Sequence, residues 1–197
     1  MVEKRRTIEA VVKDLAATLN HLGVRYALVG GVAATSWGTI RTTLDVDVVI
    51  DLKDQDVPAL VKALTEREFS VTEMDILSAL DEKAYFTVFD RRSVFRIDAK
   101  GAYGSRERET LHTRRKILVD KTVCYLASPE DMIANKLLSG TPQDVRDAEG
   151  IYTRQMQHLD IDGLSAATRR LGVSAELTKM QQRVRKRLDE LSPKNRD

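Results

Sequence analysis

The segment from Tyr26 to Asp51, YALVGGVAATSWGTIRTTLDVDVVID, contains the pattern that decides the expected fold and chemistry. A glycine pair follows a short apolar run, and a second apolar run includes Asp45 and Asp47, two positions apart. Successive side chains of a β-strand point to opposite faces, so these two carboxylates share one face with their Cα atoms about 6.5–7 Å apart. That spacing suits one or two hard cations, since the ions of two-metal sites lie about 3.5–4 Å apart.

The glycine pair, Gly30 and Gly31, is expected at the start of a short helix. Backbone N–H groups and the partial positive charge of a helix N-terminus favour phosphate there. Thr35 and Ser36, later in the same helix, are further candidate phosphate ligands. A phosphate site and a pair of aspartates so close in sequence predict phosphoryl or nucleotidyl transfer. The alternative is a Gly-Gly turn and two solvent-facing aspartates on an edge strand, although Asp is depleted in strands.

The order of these parts, a glycine pair, a gap and then D-x-D, resembles the nucleotidyltransferase superfamily. Within it, residues 41–47 (RTTLDVD) are similar to the R-x-T/S-x-D-x-D form of AbiEii-type and related minimal nucleotidyltransferases. The resemblance implies a nucleotidyltransferase-like mixed β-sheet flanked by helices. It also implies that Asp45 and Asp47 bind two Mg²⁺ or Mn²⁺ ions, and that Arg41 and Thr43 contact phosphate or order the loop.

A third acid is expected because the attacking hydroxyl must lose its proton beside a metal. In the superfamily this acid lies on a later strand, and the resemblance implies Asp98 of FRIDAK, as third metal ligand and base. Asp98 shares the polar face of its strand with Arg96 and Lys100. The alternative is a strand-end aspartate paired with Lys100. Asp90 competes for the role but fits a hairpin turn, and Asp51 fits a turn or helix cap better than an outer ligand.

A second stretch, residues 128–137 (SPEDMIANKL), is similar to the S-P-E-D-L-I-x-x-K-L helix of the AbiEii-like group. In that group an R-D pair follows on the next helix, here Arg146 and Asp147. The resemblance implies that Lys136 reaches the triphosphate and that Arg146 or Asp147 supports the site. The chain departs from the R-D-x-x-D form at Gly150. The alternative is a surface lysine and a surface Arg-Asp pair.

Strand patterns lie in the first two-thirds of the chain and helical patterns in the last third, which predicts an α+β class. The expected division is a nucleotidyltransferase core over 1–127 and a helical C-terminal part over 128–197. The predicted elements are helices over 8–22, 32–37, 54–67, 129–140, 143–157, 161–171 and 174–191, and strands over 24–29, 46–52, 69–74, 84–90, 93–100, 116–120 and 121–127.

Composition narrows the class of protein. The chain has 197 residues, of which 42% are hydrophobic and 31% are charged, as in soluble globular proteins. The N-terminus contains no signal-peptide pattern, so a cytoplasmic location is expected. Cys124 is the single cysteine, and the three histidines form no zinc spacing with it, so any metal is expected on oxygen ligands. Net charge is +2, but basic clusters at 106–121 and 179–197 suit either a phosphate backbone or water.

The predicted reaction moves an NMP from an NTP to an acceptor hydroxyl and releases pyrophosphate. The AbiEii resemblance implies the toxin of a toxin–antitoxin pair, with tRNA or a protein as acceptor and an antitoxin as partner. One alternative is a small-molecule nucleotidyltransferase of the aminoglycoside type. Another is a module that binds nucleotide, RNA or a partner protein without catalysis.

Overall fold

The computed structural model describes residues 6–39 and 42–191. They form two compact units: the described parts of 1–33 and 41–128, and the described parts of 34–40 and 129–197. The predicted division at 127/128 stays a prediction. The elements up to residue 128 are α1 (Ile8–His21), β1 (Arg25–Leu28), α2 (Gly30–Trp37), β2 (Asp45–Asp51), a 3₁₀ turn (Asp54–Asp56), α3 (Val57–Thr65), β3 (Phe69–Ser70), α4 (Glu73–Asp81), β4 (Tyr85–Asp90), β5 (Arg96–Gly101), α5 (Ser105–Thr113), β6 (Arg115–Val119) and β7 (Thr122–Leu126).

Within the described residues, seven strands form one mixed sheet in the order β3-β4-β5-β2-β1-β7-β6. Strand β2 runs parallel to β5, and β1 runs parallel to β7, whereas the other neighbours are antiparallel. The parallel pairing of β2 with β5 places the D-x-D strand directly beside the strand that contains Asp98. The α+β prediction is confirmed.

The two faces of the sheet differ in what covers them. On one face, the side chains of Val46, Val48, Ile97 and Ala99 are all buried. Helix α1 packs against β1 and β7, α4 against β4, and α3 against both helices. On the face of the aspartates, α5 packs through Leu111 on Ala27 and Val49 and leaves the N-terminal ends of β2 and β5 partly open.

The structure corrects the predicted strand over residues 69–74. A strand was expected over 69–74, but only Phe69 and Ser70 pair with β4, and α4 begins at Glu73. The cause is local: Thr72 caps the helix by accepting from the N–H of Asp75 at 3.1 Å, and Asp75 accepts back from Thr72. Reciprocal capping of this kind satisfies N–H groups that a helix start leaves without partners.

Helix α5 has no counterpart in the predicted elements. Its sequence, SRERETLHT, contains a single large apolar residue, Leu111, so the helical stripe that signals an amphipathic helix is missing. Gly104 instead caps the start of the helix, and its N–H donates to the carboxylate of Glu107 at 3.0 Å.

The second unit contains α6 (Pro129–Ser139), α7 (Pro142–Gln155), α8 (Ile161–Arg170) and α9 (Ser174–Leu191). All four were predicted within two residues of these bounds. Gly172 lies between the last two helices with φ +72°, a backbone conformation that glycine adopts at little cost. Among the helices described, none combines the length and the apolar character that crossing a membrane requires.

Candidate active site

The register of the sheet brings the predicted carboxylates together. Asp47 of β2 lies beside Asp98 of β5, and Asp45 lies beside Arg96. Neighbouring strands are about 4.8 Å apart, and side chains at paired positions of parallel strands project to the same face. Asp45, Asp47 and Asp98 therefore occupy one small area of the sheet surface.

Two side chains hold Asp45 and Asp98 in place. The hydroxyl of Thr43 donates to Oδ1 of Asp45 at 2.7 Å. The guanidinium of Arg96 donates from Nε to Oδ2 of Asp98 at 3.0 Å, and its Nη2 lies 3.6 Å from Oδ2 of Asp45. Arg96 thus bridges two of the three acids, and its side chain remains 52% exposed.

Thr87 of β4 adds a further contact. It pairs with Asp98 across the antiparallel β4–β5 ladder, and its hydroxyl donates to Oδ1 of Asp98 at 2.7 Å. Lys100, which the sequence left as a possible partner of Asp98, forms an ion pair with Glu107 at 2.8 Å instead. Burial by itself would raise the pKa of Glu107, but the hydrogen bond and charge of Lys100 hold that pKa below its usual value.

Gly30 has a steric role that the sequence did not reveal. Its φ is +58°, and a Cβ added there would lie 1.8 Å from Oδ2 of Asp47. The carboxylate of Asp47 therefore packs directly on the backbone at the start of α2, where partial positive charge favours an anion. A backbone hydrogen bond also connects the residue before Gly30 to β2, because the N–H of Val29 donates to the carbonyl of Asp47 at 2.9 Å.

The other candidates near this segment have separate positions. Gly31 follows Gly30 in the first turn of α2, whereas Thr35 and Ser36 lie in its last turns. Arg41 falls outside the described residues. Asp51, at the far end of β2, is bound by the guanidinium of Arg25, whose Nη2 donates at 2.7 Å.

The second unit holds the three remaining candidates, of which Lys136 and Asp147 belong to a charge cluster. The ammonium of Lys136 lies 2.6 Å from Oδ1 of Asp144 and 3.0 Å from Oδ2 of Asp147. The Asp147 side chain is fully buried and also accepts from the amide of Gln143 at 2.8 Å. Arg146 points away to the exposed side, where it donates to Gln143 Oε1 at 2.8 Å.

Asp144 was absent from the candidates, although it lies on the same helix. Burial by itself would raise the pKa of Asp144, but hydrogen bonds from Lys136, Ser139 and Thr141 lower that pKa from 3.8 to about 2.

Gly150, where the chain departs from R-D-x-x-D, lies against Thr39, and a Cβ at Gly150 would be 3.3 Å from Thr39 Oγ1. A larger side chain at Gly150 would therefore require Thr39 to move by a few tenths of an ångström.

No group of three His, Cys, Asp or Glu side chains among the residues described is already arranged around a common metal position. Asp45 and Asp98 instead direct their oxygens to Thr43, Arg96 and Thr87. The donor set nevertheless fits a hard cation, since it consists of carboxylate and hydroxyl oxygens on one sheet face. Thr87 was missed because strand pairing cannot be obtained from a single strand's pattern.

Two groups of solved structures are similar to this chain in fold. An antigenic nucleotidyltransferase-like protein from Paracoccidioides brasiliensis is 21% identical, covers 89% of this chain and 92% of its own, and has a TM-score of 0.58. The structure of ANT(2″)-Ia in complex with adenylyl-2″-tobramycin is 12% identical, covers 84% of this chain and 97% of its own, and has a TM-score of 0.57. These likenesses confirm the nucleotidyltransferase-like fold.

No curated protein matches the sequence. A family described as nucleotidyltransferase of unknown function (DUF6036) matches residues 6–170. The match spans both the glycine–D-x-D segment and the Lys136 helix, and it confirms the prediction of an enzyme. The chain is therefore a member of this nucleotidyltransferase family.

Proposed function

We propose that the protein moves an NMP from an NTP to an acceptor hydroxyl, with a divalent cation held by Asp45, Asp47 and Asp98. The observation that supports this most is the register of β2 and β5, which pairs Asp47 with Asp98 and leaves Asp45 on the same face. Asp is depleted in strands, so three aspartates gathered on one face need a compensating role. Binding of metal and triphosphate supplies one.

The cation proposed is Mg²⁺ or Mn²⁺, because every candidate ligand is an oxygen. When bound, such ions offset the charge of the triphosphate and favour loss of the acceptor proton. The chain's own groups do the rest. The N-terminus of α2 at Gly30 and Gly31 binds phosphate oxygens, and Asp98 takes the proton of the acceptor hydroxyl.

Thr87 and Arg96 position Asp98 for that proton transfer. Each donates to a different oxygen of the carboxylate, so together they fix the orientation of its plane. Lys136, Arg146 and Asp147 remain proposals from the AbiEii resemblance. For Lys136 to reach a triphosphate, its ammonium would have to exchange Asp144 and Asp147 for phosphate oxygens.

Two acceptor classes follow from different likenesses. The resemblance to AbiEii-type proteins supports a toxin that modifies tRNA or a protein and is held in check by an antitoxin. The likeness in fold to ANT(2″)-Ia, whose structure contains adenylyl-2″-tobramycin, supports a small-molecule acceptor. A non-catalytic binding module would not require three carboxylates on one polar face.

A labelling assay tests the reaction itself. The protein, with Mg²⁺ or Mn²⁺ and each α-³²P-labelled NTP, is incubated separately with total RNA, a cell extract and a small-molecule mixture. We expect label in one pool with the wild type and none with Asp47→Asn. Absence of both label transfer and metal-dependent NTP binding would contradict the enzyme proposal.

A further inference from the structure

A pocket of about 420 Å³ opens in the first unit where strands β1 and β7 diverge. The described register pairs these two strands at one position, Leu28 with Leu126. Earlier along both strands, the carbonyl of Val123 accepts from the amide of Asn20 at 2.8 Å and from the phenol of Tyr26 at 3.4 Å. The residues described as lining this β1–β7 pocket are Asn20, Gly23, Val24, Arg25, Tyr26, Arg114, Lys116, Val123 and Tyr125.

The β1–β7 pocket is separate from the carboxylates of the sheet face. Arg25, at its rim, pairs with Asp51, and Asp51 lies at the opposite end of β2 from Asp45. At the rise of a β-strand, the length of β2 between these two aspartates is about 20 Å. None of the lining residues described is a candidate for the transfer site. A ligand in this pocket therefore does not occupy the positions proposed for the metal and the triphosphate.

The lining of the pocket is basic. The lining residues described include three cations and no acid. Arg25 is partly balanced, because its Nη2 donates to Oδ2 of Asp51 at 2.7 Å. Arg114 and Lys116, by contrast, form no ion pair with a carboxylate in the part of the chain that the structure describes.

Two further acids lie near these cations in sequence and have partners of their own. Asp120, in the turn between β6 and β7, pairs with Lys13 at 3.1 Å. Glu109 of α5 is likewise engaged in other contacts. The pocket therefore retains net positive charge, and positive charge in a concave site favours an anionic ligand.

Arg114 lies over the ring of Tyr125. Its guanidinium carbon is 4.9 Å from the ring centroid, within the range of cation–π attraction. Its Nη1 donates to the carbonyl of Leu111, whereas its buried Nε has no hydrogen-bond partner among the described residues. A buried donor without an acceptor costs free energy, so an anionic oxygen at this guanidinium would be stabilising. Lys116 pairs with Tyr125 across the β6–β7 ladder, which places a second cation beside the same ring.

This combination of groups is suited to nucleotides. Arginine and lysine bind phosphate oxygens through charge-assisted hydrogen bonds. Nucleobases stack on aromatic rings and on guanidinium planes. The volume of the pocket also falls in the range of sites for small organic ligands, about 300–1,000 Å³.

We propose that the β1–β7 pocket is a second ligand site, which binds a nucleoside monophosphate unit. Arg114 and Lys116 hold its phosphate, and its base stacks against the Arg114–Tyr125 pair. A free nucleotide and a nucleotide of a single strand present this same chemistry. The site goes beyond the transfer reaction, since no bond forms or breaks in it.

The test measures binding to the full chain by calorimetry, with EDTA present so that no divalent cation supports binding at the sheet face. The ligands are AMP, CMP, GMP and UMP, with adenosine and ribose 5-phosphate as the two parts of AMP. We expect AMP to bind more tightly than either part, and its affinity to fall as salt screens the charges. Binding by none of the four nucleotides, or AMP binding no tighter than adenosine, would overturn the proposal.

Three variants locate the binding. Lys116→Gln and Arg114→Gln each remove a phosphate ligand. Lys121→Gln is the matched control, because Lys121 is an exposed lysine of the same hairpin outside the residues that line the pocket. We expect each pocket variant to weaken AMP binding about three- to tenfold and the control to leave it unchanged. Lys116 is exposed, so its variant decides the question even where Arg114→Gln fails to fold, and wild-type affinity in Lys116→Gln would overturn the proposal.

A parallel measurement separates this site from the proposed function. Metal-dependent binding of a fluorescent ATP analogue should be kept in Lys116→Gln and lost in Asp47→Asn. Binding of AMP in EDTA should be kept in Asp47→Asn, and its loss there would assign AMP to the sheet face and overturn the second site. Absence of metal-dependent ATP binding in the wild type would contradict the proposed function alone.

A last comparison identifies the source of the nucleotide. A single-stranded oligoadenylate of about six nucleotides is titrated beside AMP, with the wild type and with Lys116→Gln. Tighter binding of the strand that weakens in Lys116→Gln supports the site with a nucleic-acid strand as its source. Equal affinity for the strand and AMP supports the site with a free nucleotide. Strand binding that is the same in both proteins, without AMP binding, would overturn the proposal.

Discussion

The molecule contains two clusters of aspartates, one on the sheet face and one around Lys136, and their surroundings differ. On the sheet face, Asp45, Asp47 and Asp98 are accompanied by the half-exposed Arg96. In the second unit, Lys136 lies between Asp144 and the fully buried Asp147. In the first cluster, the described ion pairs join Arg96, which is half exposed, to two of the three carboxylates. In the second cluster, a mostly buried lysine lies between two carboxylates that also accept hydrogen bonds from neighbouring side chains. The comparison indicates that aspartates of the same type can serve binding in one cluster and stability in the other, according to the groups around them.

The largest effect is expected on nucleotidyl transfer, when one of the carboxylates of the sheet face is replaced. Asp47→Asn should lower label transfer at least about 10³-fold, since metal coordination contributes several kcal/mol and each 1.36 kcal/mol is tenfold in rate. Thermal stability should stay equal or rise, because a like charge beside Asp98 is removed. Asp51→Asn, on the same strand and face, is the control and should retain activity. A strongly destabilised Asp47→Asn would break the comparison.

In the cluster around Lys136, we expect a substitution to change mainly the free energy of unfolding. Lys136→Met leaves two carboxylates without their cation, and removing one partner of a buried pair destabilises by about 3–5 kcal/mol. Denaturant unfolding measures the difference. The control is Lys186→Met, which removes a lysine that is 81% exposed and lies 4.0 Å from Glu190. That exposed pair should contribute less than about 0.5 kcal/mol, and similar losses for both lysines would contradict a structural role for Lys136.

Gly30 lies directly against the carboxylate of Asp47, so the backbone conformation at Gly30 should affect the position of that carboxylate. Gly30→Ala and Gly23→Ala both place a Cβ at positive φ, +58° and +67°, so both should destabilise by about 1–3 kcal/mol. Only at Gly30 does the Cβ meet Asp47, whereas nothing lies within 4 Å at Gly23. A displacement of about 1 Å in a reacting group lowers rates by about 10²-fold. We therefore expect transfer activity to fall by that factor in Gly30→Ala alone, and equal activity in the two variants would refute the steric role.

The smallest effect is expected for the pH dependence of the unfolding free energy that Asp144 contributes in the cluster around Lys136. The pKa of Asp144 falls from 3.8 to about 2 on folding, so the folded state binds protons less readily than the unfolded chain. Its contribution to stability is present above about pH 4 and is lost as pH falls through about 2. The unfolding free energies of wild type and Asp144→Asn, measured from pH 6 to pH 2, should converge over that interval. We expect a change of about 1–2 kcal/mol, since each pKa unit corresponds to about 1.4 kcal/mol and the contribution is not fully lost at pH 2, and a constant difference would contradict it.

Most of the sheet face could be predicted from residues close in sequence. The alternation of LDVDVVI places Asp45 and Asp47 on one face without any knowledge of neighbouring strands. The Ser128-Pro129 start of α6 likewise depends on local capping chemistry. The capping of α4 by Thr72 is equally local, but the strand predicted over 69–74 included that residue.

The sequence by itself determined the class of the fold, the paired aspartates and the family resemblance, because strand alternation, helix caps and short motifs act over a few residues. Only the tertiary structure decided that Asp98 pairs with Asp47, that Thr87 binds Asp98, and that Lys136 lies between two acids. These contacts join residues that are distant in sequence or on separate helices. Their geometry depends on strand register and packing, which are collective properties of the folded chain and have no signature in any single segment.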